Sequence, residues 1–127
     1  MISPNRTVLV IDDEEGVRRS LRLILQDRFV VVVCSDGAAA IQFATDNPGT
    51  VYAAFVDFAM PGMDGNQVCS GLRSIDATIS LVGFSGNEDA AFTGPLFANF
   101  LKRHVTPESV LDLAAKAVRF AEDARRT

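Results

Sequence analysis

The chain has 127 residues, 48% of them hydrophobic and 22% charged, which is ordinary globular composition at the size of one domain. Twelve Lys/Arg against sixteen Asp/Glu leave a net charge of −4, so a broad nucleic-acid-binding face is not expected. No apolar run approaches the roughly 20 residues that span a bilayer, and Met1–Thr7 is too short and polar for a secretion signal. Neither membrane insertion nor export is therefore expected, and the cytoplasm is the expected compartment. Cys34 and Cys69 lie in apolar segments without CxxC spacing or clustered His, which suits reduced core residues and not a zinc site.

Thr7 to Ile11 is apolar at almost every position, the pattern of a strand covered on both faces, as in a parallel sheet. Val17, Leu21, Ile24 and Leu25 then share one face of a helix. Phe29 to Cys34 is a β-branched run closed by Ser35-Asp36-Gly37, a turn and helix-start signal. Ala38 to Thr45 reads as a helix ended by Asn47-Pro48-Gly49. Val51 to Val56 is a third strand, Asn66 to Ser74 a third helix, and Ile79 to Phe84 a fourth strand. Phe100-Leu101 marks a short fifth strand, and Thr106-Pro107 caps and opens a last helix with Val110, Leu111, Ala114, Ala117, Val118 and Ala121 on one face. Strands alternating with helices predict one doubly wound α/β domain: five parallel strands, five crossover helices, and ligands bound beyond the C-terminal strand ends.

Those strand ends carry Asp12-Asp13-Glu14, Asp57, Ser85-Gly86 and Lys102-Arg103. Taken singly, each has a structural explanation. The acidic triplet suits a helix N-terminus, Asp57 and Ser85 suit turns, and Lys102 and Arg103 suit a solvated surface. His104 has no partner in sequence and is assigned no chemistry. Together they describe a site for phosphoryl transfer. Clustered aspartates suit a hard cation such as Mg²⁺, which takes oxygen ligands and keeps several waters. A hydroxyl and a cationic side chain can hold phosphoryl oxygens, and an aspartate can be the nucleophile, forming an aspartyl-phosphate.

Val8-Leu9-Val10-Ile11-Asp12-Asp13-Glu14 and Asp57-Phe58-Ala59-Met60-Pro61-Gly62-Met63-Asp64-Gly65, the latter a full D-x-x-M-P-x-M-D-G pattern, resemble the receiver domains of two-component response regulators. The resemblance runs from about Val8 to Arg119. It implies a flavodoxin-like (CheY-like) (βα)5 fold occupying 1–127 as a single receiver domain, with its core at about 7–122. It implies Asp57 as the phosphoacceptor. Asp12, Asp13 and Asp57, with the backbone carbonyl of Ala59, would hold Mg²⁺. Ser85 would be the hydroxyl that moves toward the phosphoryl group, and Phe100 the aromatic switch residue. The implied donor is a histidine kinase or phosphotransfer protein, and the implied target a downstream protein partner or output domain. The implied activity is a signalling switch, limited as chemistry to self-catalysed phosphotransfer and autodephosphorylation.

Two departures from the family pattern stand out. The family's Lys-Pro after the fifth strand is replaced. Aligning Phe100-Leu101 puts Arg103 at the Lys position and His104 at the Pro position, whereas a one-residue slip makes Lys102 the cation. Register favours Arg103 and chemistry favours Lys102; the reading leans to Arg103, with Lys102 kept as the alternative. The stretch between Ser85 and Lys102 is also short for the family, and Pro95 discourages helical geometry at Gly94, so a shortened or irregular fourth helix is expected. Phe92, Leu96 and Phe97 are expected to pack into the space a longer helix would fill, in preference to forming an exposed apolar patch. Two other functions compete with the phosphoacceptor: a receiver-like interaction scaffold without regulated phosphorylation, and a metal-dependent phosphohydrolase, for which no acid/base is placed. After the last helix only the Ala124–Thr127 tail remains, which fits a stand-alone regulator or a piece of a larger regulator or hybrid kinase.

Overall fold

Val8, Leu9, Val10 and Ile11 are all fully buried, as a strand with helices on both sides requires. They belong to β1 (Ser3–Ile11), which joins β2 (Phe29–Cys34), β3 (Val51–Asp57), β4 (Ser80–Ser85) and β5 (Ala98–Leu101) in one parallel sheet of order β2-β1-β3-β4-β5. The computed structural model describes residues 3–87 and 91–126, the first three as backbone alone. The order reverses between β1 and β3, so the crevice beyond their C-terminal ends is the switch point of the fold.

Alternate residues of each strand face opposite layers. Val8, Val10, Phe55, Val82 and Phe84 meet α1 (Glu15–Leu25) through Leu21 and Leu25. The same strand residues meet α4 (Pro107–Ala124) through Val110, Ala114, Ala117 and Val118. Leu9, Ile11, Val56 and Leu81 meet α2 (Gly37–Asp46) and α3 (Gly65–Ile75), chiefly Ala40, Ala44, Val68 and Leu72. Thr106 caps α4 as its sequence predicts: the Ser109 N–H donates to Thr106 Oγ1 at 3.1 Å, and Thr106 N–H donates to Ser109 Oγ at 2.9 Å.

Strand–helix alternation predicts five helices; the described residues contain four. Of the stretch 87–92 read as a helical turn or two, residues 88–90 lie outside the described residues, and Asn87, Ala91 and Phe92 are not helical. Residues 91–97 form an irregular strap that leads into β5. The reason is local: Pro95 opposes helical geometry at Gly94. Phe92 and Leu96 pack against the α2/α3 layer and Phe97 against the other, so these side chains pack inward, as expected, instead of forming an exposed patch. No helix among the described residues is long and apolar enough to cross a membrane.

Candidate functional site

Pairing brings the strand ends level. Ile11 lies beside Val56, Asp57 beside Phe84, and Ser85 beside Leu101. Asp12, Asp57, Ser85 and Lys102 therefore emerge at one edge of the sheet.

Asp12 is fully buried. Its Oδ1 accepts from the Glu14 N–H at 2.8 Å, which shapes the turn into α1, while Glu14 at the N-cap makes no side-chain cap. Of the acidic triplet, read in sequence as suiting the helix N-terminus, one oxygen of Asp12 holds the turn that leads into α1. The other, Oδ2, lies 2.8 Å from Lys102 Nζ, and among the described residues it meets no further hydrogen-bond donor. Arg18 Nη1 donates to the Asp12 carbonyl at 2.8 Å and ties α1 to this loop.

Asp57, 3% exposed, closes β3. Burial and the neighbouring Asp12 carboxylate push its pKa up to about 6, against the attraction of Lys102 Nζ, 3.4 Å from Oδ1. Burial alone would lower the Lys102 pKa; its pairing with Asp12 and Asp57 outweighs burial and raises it. The chain leaves Asp57 under tight constraint. A Cβ on Gly65 would lie 2.8 Å from Phe58 Cα and 2.9 Å from the Asp57 carbonyl, so only glycine lets the start of α3 approach this loop. Asp64 accepts from Gln67 N–H, and the Gln67 side chain accepts from Asp64 N–H, which fixes that helix start.

Glu14, Asp57, Phe58, Ala59, Ser85 and Lys102 are among the residues around a cleft of about 400 Å³. Carboxylate oxygens of buried Asp12, exposed Asp13 and buried Asp57 lie within 4.8 Å of one another. Three converging carboxylates, one with a buried oxygen lacking a hydrogen bond, fit a hard divalent cation such as Mg²⁺. Ala59 lines the cleft, where its carbonyl was expected as a further ligand. Ser85 is buried at the cleft wall, with Oγ donating to the Asn87 carbonyl at 2.8 Å. Phe100 turns inward, stacked on Phe84 at 5.7 Å and edge-on to Phe55 at 6.3 Å.

Of the two cations left open, the structure brings Lys102 to the carboxylates, against the lean toward Arg103. β5 ends at Leu101, level with Ser85, so the next residue stands at the mouth of the site. Lys102–His104 then forms a 3-10 turn. Successive side chains on such a turn point about 120° apart, and Arg103 and His104 are exposed. The sequence reading placed the cation by register alone, whereas where β5 stops against Ser85 decides which side chain enters the site. Sequence reasoning also missed that Glu14, named only within the acidic triplet, lies 3.6 Å from Lys102 Nζ. It missed Phe58 as a cleft residue too; no sequence signal marked either role.

The family model described as "Response regulator receiver domain" matches residues 8–102, ending on Lys102. The transcriptional regulatory protein KdpE of Mycobacterium tuberculosis is 42% identical over 67 residues, covering 52% of this chain and 29% of that protein. The response regulator MprA of Mycobacterium ulcerans is 41% identical over 69 residues, covering 53% and 28%. The matched region is thus under a third of the length of these curated relatives. Among solved structures, a CheY-like response regulator receiver domain protein from Methanospirillum hungatei superposes with a TM-score of 0.84 at 16% identity, covering 96% of this chain and 99% of that one. A chain described as adenylate cyclase from Rhodopirellula baltica superposes at 0.86 with 22% identity, covering 98% and 94%. At these identities the structural likeness speaks for the fold.

Proposed function

Since the chain belongs to the response regulator receiver domain family, a family of signalling modules, we propose that it accepts a phosphoryl group on Asp57 and switches partner interactions in response. The observation that carries this reading is the pairing of one ammonium, Lys102 Nζ, with both buried carboxylates, Asp12 at 2.8 Å and Asp57 at 3.4 Å, beside an open cleft.

With a pKa of about 6, Asp57 is ionised at neutral pH and competent as a nucleophile. Its oxygen attacks phosphorus, the donor's leaving group departs, and an acyl-phosphate forms. Lys102 attracts the incoming phosphoryl oxygens and keeps the buried carboxylates from repelling them. Asp12, Asp13, Asp57 and the Ala59 carbonyl would hold a Mg²⁺, which supplies neutralisation of charge on the transferring group. Ser85, beside Asp57 at the end of β4, turns its hydroxyl to the bound group. Attack by water at the same phosphorus reverses the modification, which is the autodephosphorylation expected of a receiver. The donor is a histidine kinase or a phosphotransfer protein, the target an output domain or separate protein, and the setting the cytoplasm. The domain spans 1–127 as one unit.

Incubation with acetyl phosphate and Mg²⁺, read by intact mass, tests this directly. One phosphoryl adduct is expected, absent without Mg²⁺, absent from Asp57→Asn, and removed by hydroxylamine as an acyl-phosphate. An adduct of equal yield on Asp57→Asn overturns the assignment. A wild-type chain that takes up no phosphoryl group supports the competing scaffold function.

A further inference from the structure

Resting on the reading of Asp12, Asp13 and Asp57 as the metal site of the phosphoacceptor, we propose that Arg18 is a positioning residue. It aims Asp13 into that site and thereby sets the site's affinity for a divalent cation. The problem it answers is visible in the contrast between the two adjacent aspartates. Asp12 is held at all four of its polar groups. Its N–H donates to the Cys34 carbonyl at 3.1 Å, and its Oδ1 accepts from the Glu14 N–H at 2.8 Å. Its Oδ2 pairs with Lys102 Nζ at 2.8 Å, and its carbonyl accepts from Arg18 Nη1 at 2.8 Å. The Asp13 side chain is exposed and has no hydrogen bond or ion pair among the described residues. Yet its carboxylate stands within 4.8 Å of those of Asp12 and Asp57. No side-chain partner holds it there, so the backbone must.

The Arg18 bond acts on that backbone at the point that matters. The Asp12 carbonyl and the Asp13 N–H belong to one rigid peptide plane. A donor fixed to the carbonyl oxygen fixes the tilt of that plane, and with it the direction in which Asp13 leaves the chain. Arg18 is itself well anchored. It is half-buried, one turn into α1, and that helix is seated on the sheet through Leu21 and Leu25, both buried. Its guanidinium is also not drawn off by the acids around it. Glu15 is paired with Arg19 at 2.9 Å, and Glu14 lies 3.6 Å from Lys102 Nζ. A group that orients a ligand without touching the metal commonly governs affinity nearly as strongly as the ligand itself.

The charge of Arg18 gives the proposal a discriminating sign. A cation beside an acidic site repels Mg²⁺. If Arg18 acted only through its charge, removing it would tighten Mg²⁺ binding. If it positions Asp13, removing it weakens binding despite the relief of repulsion.

The full chain is titrated with Mg²⁺ without a phosphoryl donor, and binding is read from the amide chemical shifts of Asp12, Asp13 and Asp57. Arg18→Met and Arg18→Lys both suit a helix, and urea unfolding establishes that each variant is folded before titration. Arg18→Met is expected to weaken Mg²⁺ binding about tenfold. Arg18→Lys, which keeps the charge and one donor, is expected to fall between Arg18→Met and the wild type. In both variants the Mg²⁺ concentration for half-maximal adduct formation from acetyl phosphate, followed by intact mass, is expected to rise in parallel. Equal or tighter Mg²⁺ binding by Arg18→Met overturns the proposal, even where its urea stability falls, because the bond would then be structural only. Weaker binding by Arg18→Lys than by Arg18→Met overturns it as well, since charge would then outweigh position. A wild-type chain that shows no Mg²⁺-dependent shift overturns the metal site and this proposal with it. Mg²⁺ binding without an adduct overturns the phosphoacceptor reading alone.

Discussion

Asp57 is a carboxylate held where burial opposes its charge, and that opposition has a measurable sign. Its folded pKa is about 6 against an ordinary 3.8. The folded state therefore binds the proton more tightly than the unfolded chain, and stability falls as pH rises from about 4 to about 6, with the full penalty present above that window. A shift of about two units corresponds to roughly 3 kcal/mol. Asp57→Asn is expected to stabilise the metal-free protein by roughly 2–3 kcal/mol at pH 7 and by almost nothing at pH 4. Thermal unfolding at both pH values checks this, and an equal gain at each would refute the electrostatic origin. Lys102 is the counterweight, its side chain 21% exposed and shared between Asp12 and Asp57. Lys102→Ala is expected to abolish phosphorylation-dependent chemical shifts around Ser85 and Phe100, while Arg103→Ala leaves them intact. The reverse pattern would restore the cation that sequence register favoured.

Between β4 and β5 the described residues 91–97 form an irregular strap, which leaves a packing signature on β4. Gly83 faces the Phe92 ring so closely that a methyl there would sit 2.6 Å from it. Gly83→Ala should cost about 1–3 kcal/mol by overpacking, and clearly less in a Phe92→Ala background, because the clash is with that ring. Urea unfolding of the four proteins in this double-mutant cycle measures the coupling; equal costs in both backgrounds would place the strain elsewhere. The other elements were legible because each carries its own periodicity. Val8 to Ile11 reads as a doubly covered strand without any tertiary knowledge, and Thr106-Pro107 announces α4. The motif around Asp57 is likewise local, so Asp12, Asp13 and Asp57 were legible as one acidic cluster. What was not legible depends on distances between elements. Which of Lys102 and Arg103 enters the site is decided by where β5 stops against Ser85. The hydrogen bonds of the Asn66 side chain to Ala91 and Thr93 join segments 25 and 27 positions apart and follow no pattern in either.

The whole molecule has two unlike ends. At the C-terminal edge of the sheet, a buried charge cluster stands beside an open cleft. At the opposite edge, one side chain ties several segments together. Arg125, just past α4, donates from Nε to Thr78 Oγ1 at 2.9 Å, from Nη1 to the Gly49 carbonyl at 2.7 Å, and from Nη2 to the Val51 carbonyl at 2.6 Å. It also pairs with Asp76 at 3.2 Å. Its guanidinium lies over the Tyr52 ring at 3.7 Å, and Arg6, itself paired to Glu122 at 2.6 Å, lies over the same ring at 4.5 Å. The end of α4 is thereby fixed to the loops before β3 and β4. Three of these bonds use the planar fork that only arginine presents, and charge-assisted bonds in partly buried surroundings are the stronger ones. Arg125→Ala is therefore expected to destabilise the protein by roughly 2–3 kcal/mol, and Arg125→Lys to recover little of it. Since the staple lies at the edge opposite Asp57, adduct yield with acetyl phosphate under folding conditions is expected to match wild type in both variants. Urea unfolding beside intact-mass phosphorylation separates the two effects. A stability loss below about 0.5 kcal/mol would show that these bonds only replace equivalent ones to water, and a loss of phosphorylation in a variant that remains folded would show that the two ends of the sheet are not independent.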